Sequence, residues 1–406
     1  MATNAKNLAE LLNTDTTVAV GDIADGSVTT AKLAVGAVTT AKVADNAVTS
    51  AKALNLGRRN LLINGAMQVH QRGNQSVSSG NRYSLDRWDV ATTGGSAAYN
   101  LQQSTDVPTG QGFAKSFKLD VTTADAAMGA GDGYIFRQAF EGQNLQSIKK
   151  GTSNAEQVTV QFWVKTTKTG TYIVELYDTD NTRQVSKSYT VSSADTWEYK
   201  TVTFPADTSG AMDNDNARSL ILQWWLAAGS NFTSGTLNTT WASATSANRV
   251  VGQVNALDNT SNNFYVTGVQ MEVGATATDF EHRSFGEELT LCQRYFCKSY
   301  NYDLAPGASG SVNNLKGAAS VSGGTSTSNR PFWSAGQYPV TMRSEPTIVL
   351  YHYGGTSGKI TGGSFASYDG SAVNIGDRGF NLHPTGNVSN SNDEDHYAIF
   401  TASAEL

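Results

Sequence analysis

The amino-acid sequence predicts a mostly β protein with several domains. Glycine supplies 39 of the 406 residues, and only 16% of the residues are charged. Ser, Thr and Asn are also abundant, and this composition favours many short strands joined by turns over long helices. A chain of this length can form two or three domains with separate cores. In chain order we expect a fibrous stalk, a β-sandwich, a short connecting helix and a second, smaller β-sandwich.

Composition and charge exclude several classes of function. The formal net charge is −6, and no run of Lys and Arg is longer than two residues. A nucleic-acid-binding surface needs clustered positive charge, so we expect no nucleic-acid partner. No stretch approaches about eighteen consecutive apolar residues, and the N-terminus lacks the basic start and apolar core of a signal peptide. We therefore expect neither membrane insertion nor export through a signal peptide.

Residues 1–22 precede a repeated segment and contain Leu8, Leu11 and Leu12 at helical spacing. This spacing predicts a short helix with one apolar face, which could dock on a larger assembly. A frayed terminal helix is the alternative.

The stalk is predicted from a decapeptide that occurs three times, in IADGSVTTAK, LAVGAVTTAK and VADNAVTSAK. Each unit offers about two large apolar side chains, too few to offset the backbone entropy lost when the unit becomes ordered. Three parallel copies of the chain would bury these side chains against their equivalents. We therefore predict a homotrimeric stalk over residues 23–56, with a seam formed by Val28, Leu33, Val38, Val43 and Val48. A flexible linker rich in Ala and Thr is the alternative.

The strands that follow alternate in polarity. One face of EQVTVQFWVKT consists of Val158, Val160, Phe162 and Val164, and the opposite face of Thr159, Gln161 and Trp163. In RSLILQWWLAAG the apolar face consists of Leu220, Leu222, Trp224 and Leu226, with Trp225 on the other face. A period of two is typical of half-buried antiparallel strands. With the similar segments GTYIVELYDTD and WEYKTVTFPAD, it predicts a β-sandwich over residues 57–284.

The segment GEELTLCQRYFCKS predicts the connecting helix over residues 285–299. Acidic residues stand in its first turn and Lys298 in its last, as the helix dipole favours. Cys292 and Cys297 are the only cysteines, and we expect them to pack as small hydrophobic side chains. Residues 300–406 then form the smaller sandwich, in which Pro346 precedes a strand with alternating side chains.

Five stretches of the chain resemble bacteriophage tail fibre and receptor-binding proteins: RRNLLINGAMQVHQRG, YSLDRWDV, FYVTGVQMEVGATATDFEHRSFGEELTLCQRYF, YPVTMRSEPT and HYAIFTASAEL. In such proteins a stalk with repeats is followed by a carbohydrate-binding-like jelly roll and a C-terminal tip. The resemblance implies that residues 1–22 attach to other virion or tail proteins. It also implies that residues 57–284 are the jelly roll and residues 300–406 the receptor-binding tip.

The implied function is attachment of a virion to host-cell polysaccharide or to a protein receptor. The chain would be made in the host cytoplasm and carried on the virion as a tail appendage. A fibre or spike of the capsid is an alternative of the same structural class.

The residues of the matched motifs are interpreted as scaffold. Asn64-Gly65 has the composition of a turn. Arg72, Asp86, Arg87 and Glu272 are charges that we expect to be paired, and Trp88 is a large apolar side chain for the core. These motifs are therefore not expected to contact a ligand.

A polysaccharide-degrading tailspike is the enzymatic alternative. No HExxH, GxSxG or Walker A motif occurs, and no coil repeats follow residue 57. Two carboxylates about 5 to 10 Å apart could still come together in the fold. The acidic stretch SNDEDHY, with Asp393 to His396, could hold a divalent ion, but consecutive acids point in different directions and favour a solvated loop. We expect binding without catalysis, no metal and no cofactor.

Sugar binding needs aromatic rings beside amides and carboxylates. Two regions combine these features, namely QWWLAAGSNFTSGTLNTTWAS and the loops of the C-terminal segment. The predicted ligand-binding residues are Trp225, Trp241, Trp333, Tyr338, Tyr353 and Tyr368. The alternative for each is burial between sheets or at a subunit contact. The C-terminal loops are favoured because a fibre meets its host at the end away from the repeats.

Overall fold

The structure is a computed structural model that describes residues 58–309, 319–321, 334–362, 365–385 and 396–406. Residues 1–22, the stalk with its seam (Val28, Leu33, Val38, Val43 and Val48), Trp333 and the acids at 393–395 lie outside the described residues. The described part of the chain is mostly β, with sheets packed as a sandwich, and this confirms the predicted fold class at that level. The stalk, the tip and the homotrimer stay predictions. Among the described helices, none is long and apolar enough to cross a membrane.

Two antiparallel sheets form the sandwich. The first sheet has the spatial order β1 (Gln75–Val77), β4 (Ala98–Ser104), β5 (Ser116–Thr123), β13 (Asn263–Val273), β7 (Val158–Thr166) and β10 (Glu198–Phe204). The second sheet has the order β12 (Ala242–Ser243), β9 (Arg183–Val191), β8 (Gly170–Asp178), β11 (Arg218–Ala228), β6 (Gly133–Glu141), β3 (Asp89–Thr93) and β2 (Arg82–Tyr83). A one-turn helix, α1 (Ser230–Thr233), follows β11.

The apolar faces predicted for β7 and β11 do point into the core. The prediction that β11 is half-buried is wrong, because its residues 219–227 are buried on both faces. Val160, Phe162 and the other apolar side chains of that face of β7 lie in the core between the sheets, and so does Trp224 on β11. Trp224 lies 5.9 Å from Trp88, which stacks on Phe136 at a centroid distance of 4.7 Å. Large aromatic side chains contribute most of the buried apolar area of such a core.

The Asn64-Gly65 turn is confirmed, and the carbonyl of Gly65 accepts a hydrogen bond from the backbone N–H of Val269 on β13. Asn64 has a left-handed φ of 59°, and its Nδ2 donates hydrogen bonds to the carbonyls of Val69 at 2.8 Å and Asp86 at 3.0 Å. A Cβ at Gly65 would stand 2.1 Å from the carbonyl oxygen of Val269. Only glycine fits at that position, because a larger residue would collide with the backbone of β13.

The connecting helix, α2 (Phe285–Gln293), is shorter than predicted. Its N-cap is Ser284, whose Oγ accepts a hydrogen bond from the backbone N–H of Glu287. The acids expected in the first turn are Glu287 and Glu288. The prediction of helix up to residue 299 is wrong, because Phe296–Lys298 form strand β14 and pair with the last strand of the chain. Burial of Phe296 and Cys297 in this pairing outweighs the local helical pattern.

Among the described residues, β14 and the strands of the C-terminal segment form eight connected strands around β21 (His396–Ser403). Along the sheet lie β14, β21, β18 (Lys359–Thr361), β19 (Ser367–Val373), β20 (Gly379–Thr385) and β16 (Ser334–Gln337). Strands β15 (Ala319–Val321) and β17 (Thr347–Tyr351) also pair with β21. Buried Leu350, Ile360, Phe380 and Phe400 belong to a core that is separate from that of the sandwich.

The motifs behind the resemblance meet at the joint between the sandwich and the C-terminal sheet, which belong to one compact unit. The guanidinium of Arg87 lies 3.5 Å from the ring centroid of Tyr295 and pairs with Glu405. Arg72 pairs with Asp86 at 3.1 Å and with Glu405 at 2.8 Å. The expected pairing of these charges is confirmed, and these motif residues hold two β bodies together.

Glu272 differs from that expectation. Its carboxylate accepts hydrogen bonds from the backbone N–H of Thr278 at 2.8 Å, from Thr278 Oγ1 at 2.6 Å and from Gln270 Nε2 at 2.9 Å. These donors, rather than a cation, compensate its burial. They also attach residues 274–284 to the end of β13.

Candidate functional site

The outer face of the first sheet carries four aromatic rings on adjacent strands. Trp163 on β7 is paired in register with Tyr199 on β10, and their ring centroids are 5.4 Å apart. Trp197, just before β10, lies 6.1 Å from Tyr265 on β13. These two pairs are two residues apart along the strands, which corresponds to about 7 Å. We call Trp163, Trp197, Tyr199 and Tyr265 the aromatic strip.

The strip is partly open to solvent. Tyr199 is 47% exposed, Trp163 and Trp197 are half-buried, and Tyr265 is 9% exposed. The Tyr199 hydroxyl donates a hydrogen bond of 2.5 Å to Gln161 Oε1, which orients the ring. Desolvation, together with the charges of Glu272 and Asp279, raises the pKa of Tyr199, so its hydroxyl stays a donor at neutral pH.

A charged pair stands beside Trp197 and Tyr265. Lys165 Nζ lies 4.5 Å from the ring centroid of Tyr265 and forms a salt bridge with Asp106. Trp197 Nε1 donates to Asp106 Oδ1 at 2.9 Å. Desolvation raises the pKa of Asp106, but the hydrogen bonds from Lys165 and Trp197 and the charges of Lys165 and Lys118 outweigh it and lower this pKa. Asp106 therefore remains ionised and holds both side chains in place.

A row of polar side chains continues the face across the neighbouring strands. The residues in register are Asn263 on β13, Asp120 on β5, Asn100 on β4 and Ser76 on β1. Asp120 pairs with Lys118 at 3.2 Å, and Ser76 Oγ donates to Asn100 Oδ1 at 2.7 Å. Aromatic rings stack on the C–H faces of sugars, and amides and charges bind the hydroxyls. The face has both kinds of group.

Two of the predicted ligand-binding residues are buried, and the prediction for them is corrected. Trp225 is 1% exposed, donates from Nε1 to Glu175 at 2.8 Å and packs against Phe232. Tyr338 is 8% exposed and lies 6.2 Å from both Phe380 and Phe400 in the C-terminal core. A ring covered on both faces by protein cannot stack on a sugar.

Trp241 has a structural role. Its ring is half-buried against the sandwich core, and its Nε1 donates to the carbonyl of Pro205 at 2.9 Å. The ammonium of Lys150 lies 4.9 Å from the ring centroid. That ammonium is buried and bonded to Asp178 at 2.5 Å and to the carbonyl of Gly210 at 2.7 Å. Ligand contact by Trp241 stays a prediction. The packing of its ring against the core also favours an aromatic side chain at this position.

The remaining predicted residues lie in the C-terminal segment. Tyr353 is half-buried and packs at 4.7 Å against both His352 and Phe365, of which Phe365 is 50% exposed. Tyr368 is half-buried at the edge of the C-terminal core. Trp333 lies outside the described residues. Ligand binding by Tyr353 and Tyr368 therefore stays a prediction.

None of the four residues of the aromatic strip is among the ligand-binding residues predicted from the sequence. The signal was present in EQVTVQFWVKT, where Trp163 already stood on the face opposite the core. In WEYKTVTFPAD, Trp197 and Tyr199 likewise alternate with the buried Val202 and Phe204. A large aromatic at an outward position of a strand was the pattern to follow.

Metal-ligating side chains are dispersed in the part of the chain that the structure describes. No three of its His, Cys, Asp or Glu side chains group closely enough to hold a metal ion. Asp393, Glu394 and Asp395 are not among those residues, and the side chain of His396 is not described either. The absence of a metal therefore stays a prediction.

Comparison with known proteins finds structural similarity alone. No protein-family model and no curated protein matches the chain. Among solved structures, the enzymatically active domain of tailspike protein 4 from bacteriophage CBA120 aligns with 16% identity and a TM-score of 0.29. This alignment covers 53% of the present chain and 21% of the tailspike chain.

Carbohydrate-binding modules align over a similar part. The family 11 module of a cellulosomal cellulase from Clostridium thermocellum has 12% identity and a TM-score of 0.25, over 52% of this chain and 99% of the module. The xylan-binding domain CBM22-1 from Paenibacillus barcinonensis has 11% identity and a TM-score of 0.25, over 54% and 99%. Similarity at TM-scores this low carries no conclusion about function.

Proposed function

We propose that the chain is a structural appendage of a bacteriophage virion that attaches the particle to host-surface glycans by non-covalent binding. The observation that carries the proposal is the aromatic strip, with exposed Tyr199 and half-buried Trp163 and Trp197 beside polar side chains. The resemblance of the sequence motifs to tail fibre and receptor-binding proteins supports the same function.

The strip suits a ligand with both C–H faces and hydroxyls. Asp106 and Gln161 hold the rings of Trp197 and Tyr199 through hydrogen bonds before any ligand arrives. Preorganised rings lose little side-chain entropy on binding, so more of the stacking energy appears as affinity. We expect the rings to act as the anchors of the site.

The finer assignment follows the order of the chain. Residues 1–22 attach the protein to other virion proteins, residues 23–56 form a trimeric stalk, and residues 300–406 form a tip whose loops, with Tyr353, meet the host. Three copies on one fibre would raise avidity by a factor on the order of 10² to 10⁴ over one site. An image of particles with labelled N-termini would separate a tail fibre from a capsid fibre.

Binding without cleavage is part of the proposal. A glycosidase needs one carboxylic acid that stays protonated at working pH beside a second carboxylate. On the same face as the aromatic strip, Asp106 has a lowered pKa and pairs with Lys165, while Asp120 pairs with Lys118. These acids suit hydrogen bonding to sugar hydroxyls.

The test uses the full chain on an array of bacterial surface polysaccharides. We expect Trp163→Ala and Tyr199→Ala each to weaken binding to a recognised polysaccharide by about 10- to 100-fold, as for loss of an anchor side chain. Val273→Ala, a truncation at an exposed position at the end of β13, is the matched control and should bind like the wild type. Unchanged binding of both strip variants would refute the strip as the site, and oligosaccharides released from the array would refute binding without cleavage.

A further inference from the structure

A cleft of about 320 Å³ lies at the joint between the sandwich and the C-terminal sheet. Its walls come from residues 70–74, from the end of β4 and from the loop after β14. The lining residues that matter here are His70, Asn74, Gln103, Tyr302, Asp303 and Ala305. None of them belongs to the aromatic strip or to the ligand-binding residues predicted from the sequence, although His70 lies in the matched motif RRNLLINGAMQVHQRG.

The aromatic wall of this joint cleft is held firmly. The Tyr302 hydroxyl accepts a hydrogen bond from the backbone N–H of His70 at 2.8 Å and donates to the carbonyl of Gln68 at 3.2 Å. Its ring meets that of Phe285 edge-on at 5.2 Å. Tyr302 is 38% and Phe285 43% exposed, so the pair presents aromatic surface to solvent. Isolated exposed aromatics are ordinary, but a fixed pair at the rim of a cleft offers a stacking surface.

The backbone around the cleft is equally constrained. Lys298 Nζ donates to the carbonyls of Tyr302 at 2.8 Å and Leu304 at 2.5 Å, which ties the loop to β14. Gly73 has a φ of +74°, and a Cβ there would stand 2.8 Å from the Cβ of Ala305. Glycine at position 73 therefore allows the two walls to approach.

The polar groups of the cleft have unused hydrogen-bonding capacity. Gln103 Nε2 donates to the carbonyls of Met67 at 2.8 Å and Gln68 at 3.0 Å, which fixes the side chain and leaves Oε1 as an acceptor. Within the described ranges, the side chains of Asn74 and Asp303 form no hydrogen bond or salt bridge, although both line the cleft. A carboxylate and an amide oxygen are acceptors that suit the O–H donors of a sugar.

A second cleft lacks this combination of an aromatic wall and free acceptors. It measures about 390 Å³ and is lined by Leu145, Met212 and Lys149 among others, with no aromatic side chain in its lining. The Lys149 ammonium is already paired with Glu156 at 2.9 Å. Of the two clefts, the joint cleft alone has an aromatic wall together with free acceptors.

We infer that the joint cleft is a second saccharide-binding site, which takes one neutral sugar unit against Tyr302 with Asp303, Gln103 and Asn74 as hydrogen-bond partners. Its volume lies at the lower end of the range of ligand pockets, which fits one or two sugar rings. The Asp303 carboxylate acts on the Lys298 ammonium, and Lys298, Lys115 and Arg72 act on His70, so the cleft carries charges of both signs. A neutral sugar, which binds through the hydrogen bonds of its hydroxyls, suits such a balance. Binding in the joint cleft does not depend on binding at the aromatic strip, since the two sites share no residue.

The experiment uses ligand-observed saturation-transfer NMR on the full chain with the methyl glycosides of glucose, galactose, mannose and N-acetylglucosamine. We expect at least one glycoside to bind the wild type. Asp303→Ala should weaken that binding by about tenfold or more, the effect of losing a hydrogen bond to a charged group. Ala305→Trp, which fills the cleft, should abolish it in a chain that also carries Trp163→Ala, where the strip no longer contributes.

Two control variants distinguish binding in the joint cleft from binding elsewhere on the chain. Glu345→Ala removes another exposed acid that does not line the cleft, and Trp163→Ala alters only the aromatic strip, so both should retain the glycoside signal. A wild type that binds none of the four glycosides would overturn the inference. So would a signal that disappears in Trp163→Ala, or one that survives both cleft variants when each is combined with Trp163→Ala. The polysaccharide array reports on the strip independently, because Asp303→Ala leaves the strip intact.

Discussion

Trp163 and Trp225 occupy equivalent positions on the two sheets but have different environments. Each stands on the outward side of a strand whose other side is buried in the sandwich core. Trp163 is half-buried beside Tyr199, whereas Trp225 is 1% exposed. An outward side chain on a strand is therefore not necessarily a surface side chain. What lies over the sheet decides whether a ligand can reach it.

The cover over Trp225 is a long connection between β11 and β13. Residues 229–256 are attached to the second sheet by hydrogen bonds from Val254 N–H to the carbonyl of Thr171 and from Ala256 N–H to the carbonyl of Leu226, both 2.9 Å. Beneath it, the fully buried Glu175 accepts hydrogen bonds from Gln223 and Trp225 and pairs with Arg249 at 2.8 Å. The buried charge is compensated, as a low-dielectric environment requires.

The largest expected effect comes from removing the cation that this cover supplies to Glu175. Arg249→Ala leaves Glu175 buried without its counter-charge, and we expect a loss of about 3 to 5 kcal/mol in the free energy of unfolding. Lys165→Ala breaks the partly exposed pair with Asp106 on the other sheet and should cost about 1 kcal/mol or less. Urea denaturation of both variants measures the difference. If the two variants lose the same free energy of unfolding, the proposed difference between a covered and an open face is wrong.

A smaller effect distinguishes the two indoles directly. Trp225→Phe removes the Nε1–H that Glu175 accepts, and we expect a loss of about 1 to 3 kcal/mol because a buried acceptor loses a donor. Trp163→Phe keeps a ring in a half-buried site, so its melting temperature should stay close to that of the wild type. A Trp163→Phe variant that is the less stable of the two would show that Trp163 belongs to a covered face.

The smallest effect is the pH response of the strip. The folded-state pKa of Asp106 is lowered, so its contribution to stability is present above the unfolded pKa of about 3.9 and is lost as pH falls through the lower folded value. The fluorescence of the tryptophans in Asp106→Asn should therefore differ from the wild type at neutral pH and converge with it at strongly acidic pH. If the tryptophan fluorescence of the wild type changes near neutral pH and that of Asp106→Asn does not, the pKa of Asp106 is raised and not lowered, which would contradict the prediction.

Much of the scaffold could be predicted from local sequence. The inward side chains of β7 and β11 and the Asn64-Gly65 turn are confirmed, and so is the pairing of Arg72 and Arg87 with acids. The candidate site could be predicted less well. Trp225 and Tyr338 were selected although they are buried, and Trp163, Tyr199 and Tyr302 were not selected.

The difference between these outcomes has a physical cause. Which side chains of a strand point inward follows from a period of two residues, which neighbours in the chain define by themselves. Whether an outward ring stays open depends on segments far away, as residues 229–256 cover Trp225 while Tyr199 stays exposed. In the same way, Phe296–Lys298 leave the helical pattern because their partner strand, β21, begins about a hundred residues later and buries them. The direction of a strand's side chains is determined by adjacent residues, but the burial of a side chain depends on the whole folded chain.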